Sequence, residues 1–385
     1  MTPSDKPVAV GLLGLGSIGR RHASMIAREI PSLHLVAVHD RDESVAQRVG
    51  DEVGADVAPT SDSLLSRDDI EAVVIATPHS QHIVFAEPAL QRGLHVLVEK
   101  PVAMSVEGAG RVNRAFEVGR RDRPELVFAA MFQQRCMPVW QRLREIVRDE
   151  LGPIQRCNWT VTDWFRTQAY YDGGGWRGTW KYEGGGVLMN QAPHNLDLLL
   201  WITGLVPREV MAVTHYGQFH RVETEDEVAA VVTCDAASNS VGPPLVTFVT
   251  TTGEAPGTNR LEIVGDLGSA VAEDGHIRVR RLERGASAVS ADGPPDLRTV
   301  PFEERIETPG DTGSPTYADQ KPFRRELFDN FASAVRSGTS PIAHGCEGFA
   351  SVELANAMLL SGDQRRPITL PLDVDAYQDW LLAKA

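Results

Sequence analysis

A chain of 385 residues with 42% hydrophobic and 23% charged content is larger than one hydrophobic core usually organises, so two domains are expected. Its formal net charge of −14, from 52 acidic and 38 basic residues, would repel a phosphate backbone and argues against a nucleic-acid partner. No apolar run reaches membrane-span length, residues 1–7 are polar, and the scattered Cys136, Cys157, Cys234 and Cys346 lack metal or disulfide spacing. A reduced, soluble, cytoplasmic protein with no metal site and no membrane partner is therefore expected.

In chain order, residues 8–13 are a short apolar run ending in Gly14-Leu15-Gly16-Ser17-Ile18-Gly19, and a helical pattern follows to about residue 29. G-x-G-x-x-G between a strand and a helix is a dinucleotide fingerprint: Gly14 for the turn, Gly16 for close approach of pyrophosphate, Gly19 for helix–strand packing, with the amides of Ser17 and Ile18 opening the helix. The next strand, 33–39, ends in Asp40, about 20 residues past the last glycine, where a carboxylate accepts ribose hydroxyls and favours NAD over NADP. Arg41 beside it is suited to a 2′-phosphate, and Asp40 is also placed to cap a helix starting at Glu43. Residues 71–77 form a continuous apolar run into Thr77-Pro78-His79. A further strand at 95–98 delivers Glu99-Lys100-Pro101 at its carboxyl end, where open α/β sheets bind ligands. For a lone lysine, a solvated loop position is the alternative. His79 and His82 are candidates for pocket lining or capping, with no partner spaced for metal. Alternation of strands and helices to about residue 120 is βαβ logic and implies a doubly wound parallel sheet.

Residues 126–132 read as the last strand of this half, which places the domain division at 1–132 and 133–385. Past a helix at 139–150, short strands are expected at 157–164, 211–215, 227–234, 245–251, 261–264 and 276–281, a largely antiparallel series. Residues 286–320, rich in Pro, Gly, Ser and Asp, read as a long loop or flap, and helices are expected at 323–337 and 348–360. The glycine-rich stretch 166–182 carries Arg166, Tyr170, Tyr171, Trp176, Arg177 and Trp180, whose flat faces and donors suit a sugar ring, or else fold the loop onto the sheet. A helix at 187–202 places Asn190, His194 and Asp197 on one face, with His194 positioned for proton transfer and Asp197 to orient it, or else as a core histidine.

Taken together, Gly14-x-Gly16-x-x-Gly19, Ala76-Thr77-Pro78, Glu99-Lys100-Pro101, Gly185-Gly186 through His194-x-x-Asp197, and Glu353-Leu354-Ala355-Asn356-Ala357 to Leu370-Pro371-Leu372 resemble the Gfo/Idh/MocA family (glucose–fructose oxidoreductase, inositol dehydrogenase, rhizopine catabolism). The resemblance implies an α/β chain: an N-terminal Rossmann domain, then an α+β domain with an open, mostly antiparallel sheet used for homodimer or homotetramer contacts. It implies NAD(P)-linked oxidation of a secondary alcohol of a pyranose, pyranoside or cyclitol, or reduction of the ketone. The family lysine and histidine map onto Lys100 and His194. Asn190 stands where the family often has aspartate. Thr77, Pro78, His82, Glu99 and Lys100 join the glycine turn, Asp40 and Arg41 as cofactor contacts. Lys100, Trp164, Arg166, Tyr171, Trp176, Arg177, Trp180, Asn190 and His194 are the expected substrate contacts. Two alternatives stay open: a glycoside-cleaving enzyme that retains its NAD through oxidation, elimination and reduction, and a non-catalytic sugar- or nucleotide-sensing regulator.

Overall fold

A computed structural model describes residues 6–236, 242–310 and 320–385. The chain forms two compact units. The first comprises Met1–Cys136, Lys181–Gly184 and Gln320–Val352, and the second Met137–Trp180, Gly185–Asp319 and Glu353–Ala385. The first unit thus includes segments from beyond residue 132 that are far along the chain.

In the first unit, β1 (Val8–Leu13), α1 (Ser17–Glu29), β2 (Leu33–His39), α2 (Glu43–Val53), β3 (Asp56–Val57), α3 (Ser61–Leu65), β4 (Ala72–Ile75), α4 (His79–Gln91), β5 (His95–Val98), α5 (Val106–Asp122) and β6 (Phe128–Ala130) follow in sequence. All six strands are parallel, in the order β3-β2-β1-β4-β5-β6. Strands β4 and β5 are buried at every residue, which is why they read as unbroken apolar runs. The strand order reverses between β1 and β4. A crevice beyond the carboxyl ends of those strands is the usual ligand position in such a sheet.

The second unit opens with α6 (Pro138–Glu150), β7 (Ile154–Val161), α7 (Gln168–Asp172), α8 (Val187–Asn190) and α9 (Pro193–Thr203). Next come β8 (Pro207–Tyr216), β9 (Glu225–Cys234), β10 (Leu245–Thr251), β11 (Asn259–Gly265), β12 (Gly268–Glu273), β13 (His276–Leu282), α10 (Ala286–Asp292) and β14 (Phe302–Glu307). The chain closes with α11 (Lys321–Ser337), α12 (Gly348–Gln364), β15 (Ile368–Thr369) and α13 (Val374–Lys384). Nine strands make one sheet in the order β14-β13-β12-β11-β7-β10-β9-β8-β15. Within this sheet, among the described residues, β7 and β10 run parallel and every other neighbouring pair is antiparallel.

Two expectations are corrected. The 286–320 stretch is not one loop: it holds α10 and β14, and only 311–319 lie outside the described residues. Strand β14 carries no apolar alternation because it is exposed and is held by its ladder to β13, with Arg280 donating to Glu304 (2.7 Å). The helix expected at 187–202 is broken: α8 ends at Asn190 and α9 starts at Pro193, whose missing N–H suits a first-turn position. Helix α11, finally, belongs to the first unit, where Leu327, Phe328 and Phe331 enter the core. There Arg336 grips Glu71, just before β4, through two bonds of 2.6 and 2.8 Å. That guanidinium outweighs the effect of burial and holds the Glu71 carboxyl down at about 2.

Candidate functional site

The glycine turn after β1 has the geometry its spacing predicts. Gly14 adopts φ +88°, and a Cβ on Gly19 would fall 1.9 Å from the Gly14 carbonyl oxygen, so neither position takes a side chain. A Cβ on Gly16, by contrast, would meet nothing within 4 Å: the first turn of α1, with its unsatisfied amides, faces open space. The Leu15 N–H donates to Asp40 Oδ2 at 2.6 Å, which ties the end of β2 to this turn and stations a carboxylate beside it. Capping of α2 falls instead to Asp42, which accepts from the Ser44 and Val45 amides, so Asp40 is not the helix cap. Arg41 is exposed next to it. A helix start with no side-chain cap, free space at Gly16 and a carboxylate alongside fits a dinucleotide with free ribose hydroxyls.

At the end of β5 the sheet presents Glu99, Lys100 and Pro101. Glu99 is buried; its Oε1 meets His22 Nε2 at 2.7 Å, and its Oε2 accepts the Lys100 N–H at 3.2 Å. Burial alone would raise this carboxyl, but the His22 hydrogen bond, with Lys100 and Arg324 nearby, holds it down at about 2. Lys100 is half-buried. His82, expected among the cofactor contacts, lies between two loops. Its ring is fully enclosed, with Nδ1 2.7 Å from Pro101 O and Nε2 2.9 Å from Thr77 O. The ring thereby links the loops that follow β4 and β5, and burial pushes its pKa below the ordinary value. His79 is buried and bonds Glu183 O at 3.2 Å.

In the second unit, Asn190 is the half-buried last residue of α8, while His194 and Asp197 are buried one turn apart on α9. The start of α8 is held by a residue that the sequence did not single out. Glu225, at the head of β9, accepts from the Gly186 amide (2.8 Å, Oε2) and the Leu188 amide (3.0 Å, Oε1). Gly186 lies so close to β9 that a Cβ would fall 1.9 Å from Glu225 O. The only signal was the acidic run Glu223-Thr224-Glu225-Asp226-Glu227, which by composition alone reads as a solvated turn. In the structure its three central residues are buried.

The aromatic stretch divides in two. Trp164, Tyr171 and Trp180, expected to face substrate, are packed into the fold with their polar atoms occupied. Trp164 Nε1 donates to Asn195 Oδ1 (3.0 Å), Tyr171 OH to Thr252 Oγ1 (3.0 Å) and Trp180 Nε1 to Glu223 O (3.1 Å). The Tyr171 ring lies 4.8 Å from His220 and the Trp180 ring 5.4 Å from Trp380. Arg166, Tyr170, Trp176 and Arg177 remain partly exposed.

Residues 8–119 match the family model described as an oxidoreductase family, NAD-binding Rossmann fold, and residues 144–370 match that of its C-terminal alpha/beta domain. The UDP-N-acetylglucosamine 3-dehydrogenase of Acidithiobacillus ferrooxidans is 29% identical over 53% of this chain and 56% of its own length. The chain thus spans little more than half the length of the first curated relatives it matches. Inositol 2-dehydrogenase 4 of Saccharopolyspora erythraea is 26% identical over 95% of this chain and 97% of its own. Among solved structures, the WlbA dehydrogenase from Bordetella pertussis, crystallised with NADH and UDP-GlcNAcA, superposes with a TM-score of 0.74 at 25% identity, covering 95% of this chain and 100% of that one. No helix among the described residues is long and apolar enough to cross a membrane.

Proposed function

The chain belongs to the Gfo/Idh/MocA oxidoreductase family, and from that premise we propose that it transfers a hydride between a ring-borne secondary alcohol of a sugar or cyclitol and NAD. The observation that carries the proposal is the open start of α1 at Gly16 with Asp40 one hydrogen bond from Leu15. The amides of Gly16, Ser17 and Ile18 would hold a pyrophosphate there, and Asp40 the adenosine ribose. A 2′-phosphate would approach that carboxylate at close range, which supports NAD over NADP despite Arg41 alongside. Thr77, Pro78 and Lys100, at the ends of β4 and β5, border the same crevice of the first unit. Bound NAD supplies the hydride acceptor.

The remaining chemistry falls to side chains. The His194 imidazole takes the proton of the reacting hydroxyl, the role for which histidine's near-neutral titration suits it. In the first unit the Lys100 ammonium, at the carboxyl end of β5, is a donor suited to stabilising negative charge on a reacting oxygen. Asn190, which carries no titratable proton, hydrogen-bonds a neighbouring hydroxyl and orients the ring. Relatives named for a nucleotide-linked amino sugar and for inositol support a polyhydroxylated ring as substrate. Exposed Met211, Val213, Val231 and Leu245 on one face of β8, β9 and β10 support self-association through the open sheet.

The test is absorbance of the reduced cofactor, with NAD and NADP offered separately against pyranoses, methyl glycosides, hexuronates and inositols. A rate with NAD and one ring class is expected. His194→Ala should lower kcat by about 10² to 10⁴-fold while NADH binding, followed by its fluorescence, stays intact. A fully active variant removes His194 from the mechanism. Silence from every ring overturns the dehydrogenase reading.

A further inference from the structure

In the second unit two arginines stand over one tyrosine. The Arg177 guanidinium lies 4.6 Å from the Tyr170 ring centroid and the Arg166 guanidinium 5.2 Å from it. Trp176 carries Arg177 on a further face at 4.9 Å, and Trp164 carries Arg166 at 5.6 Å. Gln191 Nε2 donates to the Tyr170 hydroxyl at 3.3 Å, so the cluster is joined to the short link between α8 and α9, between Asn190 and His194.

Among the described residues neither guanidinium makes an ion pair, in a chain with an excess of carboxylates and in which Arg67, Arg142, Arg156 and Arg336 all find one. Arg166 donates only to the backbone carbonyls of Phe165 (2.8 Å) and Trp164 (3.4 Å). Arg177 Nε is buried with no hydrogen-bond partner among the described residues. Two like charges over one ring repel each other, and a partnerless buried N–H is costly. Both costs are relieved by one ligand: an oxyanion between the two forks. Their aromatic supports hold the planar donors ready for bidentate contact, so little rotamer freedom is lost on binding.

We propose that Arg166 and Arg177, seated on Tyr170, form an anion subsite, and that the ring acted on carries a carboxylate or phosphate group. This rests on the dehydrogenase reading for the ring itself and adds the charge of its substituent.

Isothermal titration of the NAD-loaded protein with glucose, glucuronate and glucose 6-phosphate tests it. One anion should bind at least about 10-fold more tightly than glucose, the effect expected of a charge-assisted bidentate contact. Which anion wins separates a carboxylate from a phosphate source. Arg166→Gln and Arg177→Gln should each collapse the anion-to-neutral ratio, and Arg177→Lys, which keeps the charge but loses the fork, should leave an intermediate one. Unchanged thermal melting shows that the variants fold. Equal affinity for all three ligands, no binding of either anion, or a preference that survives both substitutions overturns the subsite. Anion binding that depends on both arginines, without reduced cofactor from any ring, would leave the subsite standing and strike the dehydrogenase reading instead.

Discussion

Two buried carboxylates, one in each unit, stand behind residues proposed to touch substrate, and they are satisfied in different ways. Glu99 lies beside Lys100 and is held mainly by side chains, the His22 ring with Lys100 and Arg324 close by, and by one backbone amide, that of Lys100. Glu225 lies beneath α8, which ends in Asn190, and is held by the backbone amides of Gly186 and Leu188. Side-chain partners leave a trace in the sequence as charges that can be matched. Backbone partners leave none, because every residue but proline offers an N–H. The first carboxylate stood inside a readable Glu-Lys-Pro turn, while the second passed for surface charge.

Of the two carboxylates, the backbone-held one should give the larger effect when it is cut. Glu225→Ala leaves two amides without their acceptor and should cost about 2–4 kcal/mol in denaturant unfolding. The same variant should lower kcat by about 10-fold or more, because Asn190 loses its fixed place. Glu225→Gln, which keeps an acceptor oxygen, should lie between. If Glu225→Ala unfolds like wild type, the contrast between the two carboxylates dissolves.

Acid sharpens the other side. Glu99 and Glu71 both have folded pKa values of about 2 against an ordinary 4.5, so each contributes stability that is fully present above about pH 4.5 and is lost as pH falls toward 2. Melting temperature should therefore drop across that window. Glu71→Gln and Glu99→Gln should each flatten the curve, and an unaltered acid limb in both would show that neither carboxylate is linked to folding.

The smallest effect is expected at Asp40, whose carboxylate already accepts the Leu15 N–H. Asp40→Ala should weaken NAD by about 10-fold, the loss of a charged hydrogen-bond acceptor, and narrow the preference over NADP. An unchanged cofactor ratio in steady-state kinetics would show that this carboxylate does not read the ribose.

Much of the first unit was legible because its signals are local. The Gly14 to Gly19 spacing, the buried runs of β4 and β5 and the strand-end lysine each follow from a few neighbouring residues. The second unit yielded its alternating strands but not β12, whose small residues in Gly-Ser-Ala-Val-Ala-Glu barely alternate, nor the exposed, charged β14. Trp164, Tyr171 and Trp180 were equally suited by composition to a sugar or to a core. In the structure their polar atoms meet Asn195, Thr252 and Glu223, partners that come from elsewhere in the chain.

By itself, then, the amino-acid sequence determined the alternating parallel half, the glycine turn with Asp40 about 20 residues beyond it, and the placement of Lys100 at a strand end, since periodicity and backbone demands act over short distances. Only the tertiary structure decided that α11 completes the first unit, that His82 ties the loops after β4 and β5 together, that Glu225 anchors α8, and that Arg166 and Arg177 converge on Tyr170. The placement of α11 and the Glu225 contact join residues distant in sequence, and which of many chemically equivalent partners a side chain meets is settled only when the chain has packed.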